Sequence, residues 1–168
     1  MKRYLSLGLA FSLAIVGNFT LTEGASAKVC DNDPLRSSGC THAYRSYNSS
    51  WDYESNQSGS YNKDHRIIRQ EEASWYEWGM GDLPSGRATL EVYLAHADFT
   101  NRQARYYVLH EGLSTEEYVG NVNQYSARSG WNEVGTIRLD AGRVWVILDG
   151  SDWSGRTNTY TGADAVSL

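Results

Sequence analysis

The sequence predicts an all-β protein, a sandwich or a barrel of short strands, on the basis of its composition, its periodicity and its turns. Of its 168 residues, 12 are tyrosine, 6 are tryptophan and 16 are glycine, whereas only 2 are proline. Aromatic and β-branched residues suit a half-buried pleated surface, and glycines spread along the chain suit frequent turns. Apolar and polar residues alternate in several short segments, as expected for strands with one buried face. No segment has the period of an amphipathic helix.

About eight or nine short strands at regular spacing are predicted, which is typical of a sandwich or a barrel. The clearest strand is 88–96, where Leu90, Val92 and Leu94 alternate with more polar neighbours. The remaining predicted strands lie around 51–53 and at 61–69, 73–78, 104–110 and 117–124, with a turn at 79–86 and loops at 96–103 and 125–130.

The last third of the chain predicts a hairpin followed by a closing strand. Residues 131–139 and 143–149 are two apolar, β-branched runs, and Asp140, Ala141 and Gly142 separate them. A short connection with glycine between two such runs is typical of a β-hairpin. Residues 160–168 predict a final strand that ends the domain.

The first 27 residues predict a secretory signal peptide, and therefore a secreted, extracellular protein. A short basic region precedes an apolar run at 5–16, and Ala25-Ser26-Ala27 is a small-x-small cleavage signature. The apolar run is too short to span a membrane. No second apolar run follows, so we expect no membrane anchor. Cleavage after Ala27 would leave a mature chain that begins at Lys28.

The two cysteines of the chain, Cys30 and Cys40, predict a disulfide. In an oxidising compartment a lone pair at this spacing favours a disulfide, worth about 2–3 kcal/mol in the loop-entropy picture. A zinc site is disfavoured because a second cysteine pair is missing. The disulfide loop lies in a polar segment, 28–50, and we expect it to hold the mature N-terminus in place without stapling the core.

From about Trp51 to Leu168, short motifs follow one another in a fixed order. They are Ala73-x-Trp75, Leu83-Pro84-x-Gly86, Val92-Tyr93, Ala104-x-Tyr106-x-Val108, Asn123-Gln124 ahead of Trp131-Asn132, Gly135-Thr136, Ala141-Gly142 and Ala163-Asp164-Ala165-Val166. In this order they resemble the golvesin C-terminal, xanthan-lyase carbohydrate-binding-like family. The resemblance implies that residues 51–168 form a single β-sandwich of jelly-roll, galactose-binding-like type. Such domains are commonly attached to secreted polysaccharide-degrading enzymes and cell-surface proteins.

Catalysis is not predicted. The sequence lacks a Gly-x-Ser-x-Gly elbow, a His-Glu-x-x-His motif and a phosphate loop. His65, His96 with Asp98, and His110 are candidate bases, but the sequence positions no nucleophile beside them. A small secreted hydrolase is therefore the last of three hypotheses. The formal net charge of −5 and the absence of a basic stripe argue against a nucleic-acid partner.

A glycan-binding site is predicted in the loops. Sugar rings present apolar C–H faces, so their sites combine an aromatic platform with amide, carboxylate or guanidinium groups. The 150–158 loop has this mixture, and two further loops extend it if all three converge at one end of the sandwich. The predicted ligand-binding residues are Trp153, Asp152, Arg156 and Asn158 in this loop, Tyr125 and Arg128 in a second, and Phe99, Asn101 and Arg102 in a third.

The predicted partner is a polysaccharide or a cell-surface glycan. The alternative is a secreted protein partner, contacted by the same aromatic loops of an interaction or matrix module. Folding of Trp153 onto the core as a lid is an equally weighted interpretation of that residue. We expect Trp75, Trp131 and Trp145 to lie in the core, because they fall within strand patterns, and Trp78 is ambiguous.

Asp164 is a candidate metal ligand. A carboxylate between two alanines in the last strand caps a turn or holds a structural ion, and related sandwich folds often carry a structural calcium ion. Asp164 is therefore named as a possible calcium ligand, although no dense cluster of aspartate and asparagine accompanies it. No other cofactor is predicted.

Overall fold

Antiparallel β-strands make up nearly all regular structure in the computed structural model of the protein. The structure describes residues 27–33, 39–45, 50–70, 74–94 and 98–168. Residues 1–26 of the predicted signal peptide, and His96, lie outside these ranges. No helix among the described residues is long and apolar enough to cross a membrane.

The described residues contain twelve strands and one short 3-10 turn. The strands are β1 (Val29–Cys30), β2 (Cys40–Arg45), β3 (Asp52–Ser55), β4 (Asp64–Arg69), β5 (Trp75–Leu83), β6 (Gly86–Leu94), β7 (Ala104–His110), β8 (Glu117–Val122), β9 (Gly130–Leu139), β10 (Gly142–Asp149), β11 (Tyr160–Ala163) and β12 (Val166–Ser167), and the 3-10 turn spans Tyr61–Lys63.

The strands form two main sheets and a smaller third one. The order is β2-β5-β10-β7-β8 in the five-stranded sheet, β1-β12-β6-β9 in the four-stranded sheet and β11-β4-β3 in the three-stranded sheet. Alternate side chains of each strand point inwards and meet in one core, for example Trp78 of β5, Val146 of β10 and Leu90 of β6. The predicted all-β sandwich is confirmed.

The predicted hairpin at 131–149 is wrong. β9 pairs with β6 in the four-stranded sheet, whereas β10 pairs with β5 and β7 in the five-stranded sheet. The chain crosses the core between them, at the turn that ends with Gly142 at φ +127°. Ile137 and Leu139 of β9 and Val144, Val146 and Leu148 of β10 all lie in the core. The crossing thus lets the two runs bury their apolar faces from different sheets. Local pattern alone does not distinguish this crossing from a hairpin.

Two other boundaries differ from expectation for the same reason. β5 continues through the predicted 79–86 turn as far as Leu83, and the chain then changes sheets before β6. The expected final strand is two short strands, β11 in the three-stranded sheet and β12 in the four-stranded sheet. At each crossing the chain passes from one sheet to another, so that the apolar faces of the sheets are buried in one core.

The predicted disulfide between Cys30 and Cys40 is confirmed, with the two Cα atoms 5.7 Å apart. The bond holds the N-terminal strand β1 in place, but the expectation that it leaves the core unstapled is wrong, because both cysteines are buried within the core. Cys30 belongs to β1 of the four-stranded sheet, and Cys40 belongs to β2 of the five-stranded sheet. The bond therefore ties the two sheets together, and the segment 28–50 contributes an edge strand to each.

Glycines allow a close backbone approach where β8 meets β9. A Cβ at Gly120 would overlap the carbonyl of Val134, and a Cβ at Gly135 would lie 2.8 Å from the carbonyl oxygen of Val119. Real Cβ atoms do not approach backbone oxygens so closely, so both positions require glycine. The edges of the two main sheets can thus come together at this corner.

Loss of the disulfide should lower stability. We expect the Cys30→Ala, Cys40→Ala double variant to lose about 2–3 kcal/mol of unfolding free energy, because the cross-link restricts the unfolded chain. Urea denaturation with and without reductant measures this. Reductant should lower the midpoint of the wild type and leave that of the double variant unchanged. Equal wild-type midpoints in both conditions would contradict the stapling role.

Substitution of Gly162 should be more damaging than substitution of another buried glycine. A Cβ at Gly162 would overlap the ring of Phe99, whereas the nearest atom to a Cβ at Gly81 lies 3.7 Å away. We expect Gly162→Ala to cost about 2–3 kcal/mol through overpacking. Gly81→Ala is the matched control, with an expected change within about 0.5 kcal/mol. Similar losses for both variants in urea denaturation would refute the packing argument.

Candidate functional site

The three predicted loops converge at one end of the sandwich, an arrangement that the sequence left open. The backbone N–H of Arg102 donates to Asp152 at 3.2 Å, and the Asn101 amide donates to the carbonyl of Ser151 at 3.0 Å. The backbone N–H of Tyr125 donates to the carbonyl of Asn101 at 3.3 Å. These bonds hold the loops 98–103, 123–129 and 150–159 together.

Two of the predicted ligand-binding residues are structural instead. Phe99 is 1% exposed and Asn101 is 0% exposed. The Phe99 ring packs on Gly162 and makes an edge-to-face contact with His65, and it closes the end of the core. The Asn101 amide donates to Ser151 and to the hydroxyl of Thr161. Predicting Phe99 and Asn101 on a binding surface is wrong, because closing the sandwich needs an apolar plug and a hydrogen-bonded amide there.

Asp152 positions the 150–159 loop. Its two oxygens accept backbone N–H groups of Ser154, at 2.9 Å, and of Arg102, at 3.2 Å. Burial alone would raise the pKa of Asp152, but the hydrogen bonds from Ser154 and Arg102 hold it below its usual value. The carboxylate is therefore charged and committed to the loop.

The other predicted residues are spread over the surface of this end. The guanidinium carbon of Arg102 lies 4.3 Å from the centre of the Tyr125 ring, in a cation–π contact. Asn158 accepts a hydrogen bond from Arg69. Arg156 is exposed, and the backbone of Arg128 bonds to the side chain of Asn132.

A cleft opens beside the loops, on the outer face of the five-stranded sheet. Its volume is about 670 Å³, and it includes Trp153 and Asp152 from the predicted set. Ile147 of β10 forms the floor, with Glu77 of β5 and Tyr107 of β7 as its cross-strand neighbours. The remaining lining residues are Gln70, Ser74, Trp75, Glu116, Asp149 and Ser151.

Two tryptophans of the cleft are held by carboxylates. The indole N–H of Trp75 donates to Glu77 at 2.7 Å, and that of Trp153 donates to Asp149 at 2.8 Å. Asp149 is itself held by the backbone N–H of Ser151 at 2.8 Å. These bonds satisfy the polar edge of each indole and orient its ring before any ligand arrives.

Trp153 is exposed and does not form a lid on the core. Its exposed fraction is 48%, so folding back is excluded for this residue. The guanidinium carbon of Arg105 lies 3.8 Å from the centre of its ring. This contact covers one ring face and adds to the bond with Asp149 in fixing the ring.

The expected distribution of tryptophans is wrong. Trp75 and Trp145 are half-buried on the outer face of the five-stranded sheet, and Trp131 is 37% exposed on the four-stranded sheet. The deeply buried tryptophans are Trp51 and Trp78. The alternation in β5 carries a signal for this: Tyr76, Trp78 and Met80 share one face, and Trp75, Glu77 and Gly79 share the other. A glutamate and a glycine mark the outer face.

The candidate base His65 is fully buried and lies between a serine and a glutamate. Its Nδ1 lies 2.7 Å from the hydroxyl oxygen of Ser60, and its Nε2 lies 3.2 Å from a carboxylate oxygen of Glu54. Ser60 is only 7% exposed, and the next backbone N–H, of Tyr61, donates to Asp164 at 3.0 Å. A substrate would thus meet neither an accessible hydroxyl nor a free donor for an oxyanion. The contacts of His65 with Glu54 and Ser60 connect β4 to β3 and to the residue that precedes the 3-10 turn.

Asp164 is buried among other carboxylates. Burial raises its pKa to about 9, and the charges of Asp31 and Asp64 add to the rise, although the bond from Tyr61 opposes it. Its second oxygen, Oδ1, is buried without a hydrogen-bond partner. No three His, Cys, Asp or Glu side chains are grouped to hold a metal ion in the described parts of the chain. A calcium ion at Asp164 therefore stays a prediction.

The fold places the chain in a class of antiparallel β-sandwiches that includes carbohydrate-binding modules. One similar structure is xanthan lyase from Paenibacillus, with a TM-score of 0.63 and 23% identity over 84% of this chain; the chain spans only 13% of that enzyme. Another is the carbohydrate-binding module CBM35 of Abf62 from Cellvibrio japonicus, with a TM-score of 0.53 and 16% identity over 85% of this chain and 93% of that one. At these identities the likeness establishes the fold.

Neither the family models nor the curated proteins contain a match to this chain. The likeness to part of a xanthan lyase and to a carbohydrate-binding module is a likeness of fold, and the expected family stays a prediction.

Asp164 should make the protein less stable as the pH rises. Its pKa is about 9 in the folded protein and near 4 when unfolded, so the folded state binds the extra proton between these values. Stability from this group is present at low pH and is lost as the pH approaches 9. We expect the melting temperature to fall from about pH 5 to about pH 8, and Asp164→Asn to flatten this fall.

The matched control is Asp140→Asn, at an exposed position in the crossing between β9 and β10. It should keep the wild-type pH dependence. Repeating the melts with calcium tests the predicted ion: calcium should stabilise the wild type at about pH 8 and leave Asp164→Asn unchanged if Asp164 is a ligand. An identical slope for Asp164→Asn and wild type would contradict the titration argument.

Proposed function

We propose that the protein is a secreted, non-catalytic module that binds a polysaccharide or a cell-surface glycan in the cleft. The observation that carries this proposal is the pair of tryptophans, Trp75 and Trp153, whose rings line the cleft and whose N–H groups are already bonded to carboxylates. An aromatic face held in place can stack on the apolar face of a sugar with little loss of side-chain entropy.

The rest of the cleft has the composition that glycan recognition requires. Ile147 and Tyr107 extend the apolar surface, and Gln70 and Glu116 add an amide and a carboxylate that can bond to hydroxyl groups. A volume of about 670 Å³ lies within the range of pockets that bind small ligands. The proposed site therefore lies beside the loop end and shares the 150–159 loop with it.

Two further features support secretion and glycan binding. The buried Cys30–Cys40 disulfide suits an oxidising compartment, as the predicted signal peptide 1–27 requires. A structure with the same fold is, by its name, a carbohydrate-binding module. We propose residues 51–168 as the binding domain, with 28–50 supplying edge strands.

A protein-interaction module is the second candidate, and one surface favours it. On the four-stranded sheet, the exposed Trp131 and the half-buried Tyr93 form a cluster of edge-to-face rings with Tyr61 of the 3-10 turn, with ring centres 5.4–5.6 Å apart. Aromatic residues exposed on a sheet are enriched at protein interfaces. This surface lies on a different sheet from the cleft, so separate variants test the two functions.

Truncation of either cleft tryptophan should weaken glycan binding strongly. We expect Trp153→Ala and Trp75→Ala each to weaken binding about thirtyfold or more, the loss that a central aromatic contact of about 2 kcal/mol implies. Binding is measured first on a glycan array and on insoluble polysaccharides, then by calorimetry on the best ligand. Trp153→Phe should lose less, because it retains a ring and loses only the bond to Asp149.

Trp131→Ala is the matched control on the opposite sheet. Trp131→Ala should retain glycan binding. The melting temperatures of all variants should stay near that of the wild type, so that a change in affinity reflects the site and not unfolding. If Trp131→Ala no longer bound the glycan and Trp153→Ala still bound it, the binding site would lie on the four-stranded sheet. No binding to any glycan by the folded wild type would remove the glycan proposal and leave the protein-interaction module.

A further inference from the structure

The charged side chains that line the cleft are all acidic. Glu116, Asp149 and Asp152 contribute carboxylates. Glu77 accepts the hydrogen bond from the indole N–H of Trp75. No lysine, arginine or histidine is among the described residues that line it. The guanidinium of Arg105 is stacked on the ring of Trp153, with its carbon 3.8 Å from the ring centre.

These carboxylates differ in what they offer a ligand. Both oxygens of Asp149 accept hydrogen bonds from the 150–159 loop, and the two oxygens of Asp152 accept one from Ser154 of that loop and one from Arg102 of the 98–103 loop. Glu116 is exposed and forms no hydrogen bond or ion pair with any described residue. Glu116 is therefore the carboxylate available to a ligand, and the other two add negative potential behind it.

A ligand that enters this cleft meets aromatic faces and negative charge together. Aromatic faces attract cations, and carboxylates attract ammonium groups through charge-assisted hydrogen bonds. A uronate or a sulfate would instead be repelled by at least three carboxylates without a compensating cation in the lining. The attraction of cations and the repulsion of anions both favour a positively charged ligand over a negatively charged one.

We propose that the cleft selects glycans that carry protonated amino groups and rejects glycans that carry carboxylate or sulfate groups. The inference rests on the proposed function and adds the charge of the ligand. Tryptophan stacking accounts for the binding of a sugar ring, and Glu116 accounts for the preference among rings of similar shape. Neutral glycans bind more weakly than amino-bearing ones of the same length.

Two pairs of oligosaccharides test the proposal by calorimetry at low salt. One pair is a chitosan oligomer and the fully N-acetylated chitin oligomer of equal length. The other is an oligogalacturonide and its methyl ester, which differ in charge on one backbone. We expect the chitosan oligomer to bind about tenfold or more tightly than chitin, with the difference shrinking at about 0.5 M salt. The methyl ester should bind at least as tightly as the free acid.

Glu116→Gln identifies the group responsible. It should weaken chitosan binding about three- to fivefold, as expected for one exposed ion pair, and leave chitin binding unchanged. Glu133→Gln, an exposed position on β9 of the opposite sheet, makes the same change in net charge and should have no effect.

The outcomes separate this inference from the function on which it rests. Equal or weaker binding of chitosan than of chitin, tighter binding of the free galacturonide, or no binding of chitosan at all overturns the charge selection. In each case, tryptophan-dependent binding to any member of the glycan array would leave the proposed function standing. If the protein bound no member of the glycan array either, both the charge selection and the proposed function would be refuted.

Discussion

The cleft depends on the burial of the inner face of the five-stranded sheet. Tyr76, Trp78, Tyr106 and Val146 are almost fully buried there, and each such side chain stabilises the fold by about 1.5–3 kcal/mol. Because side chains alternate along a strand, this burial forces the intervening residues outwards in a fixed register. A slip of one residue in β5 would bury Glu77 and expose Trp78. The outer face, with Trp75 and its neighbours, is thus determined by the core beneath it.

The other wall of the cleft depends on buried hydrogen bonds at the loop end. The amide of Gln124 bonds to both backbone groups of Gly162, at 2.9 and 3.0 Å, and to the hydroxyl of Tyr106 at 3.2 Å. Asn101 and Asp152 connect the neighbouring loops in the same way. Long polar loops become rigid when their backbone groups are paired inside the protein. Rigid loops give Trp153 a defined place beside the sheet, so the site is formed before a ligand binds.

Sequence reasoning succeeded where chemistry is local and failed where it depends on the partner strand. The disulfide follows from residue type and spacing, whereas the convergence of the loops and the exposure of Trp153 are alternatives that the sequence leaves open and the structure decides. The hairpin at Asp140–Gly142 failed because a turn and two apolar runs fit a crossing between sheets equally well. The sequence predicts a surface position for Phe99 and Asn101 because polar residues surround them in the chain. Burial of Phe99 depends on Gly162, which is 63 positions away in the chain.

The sequence by itself determined the all-β class, the strand-length periodicity, the cysteine pairing and the supply of aromatic rings for a binding surface. These properties follow from composition and from contacts between near neighbours in the chain. Only the tertiary structure decided which tryptophans reach the solvent and which loop meets which sheet. It also decided that Trp75, Tyr107 and Trp153 share one cleft lined with carboxylates. The physical reason is that a strand has two faces of similar composition, and the choice of the buried face is made by packing against a sheet distant in sequence.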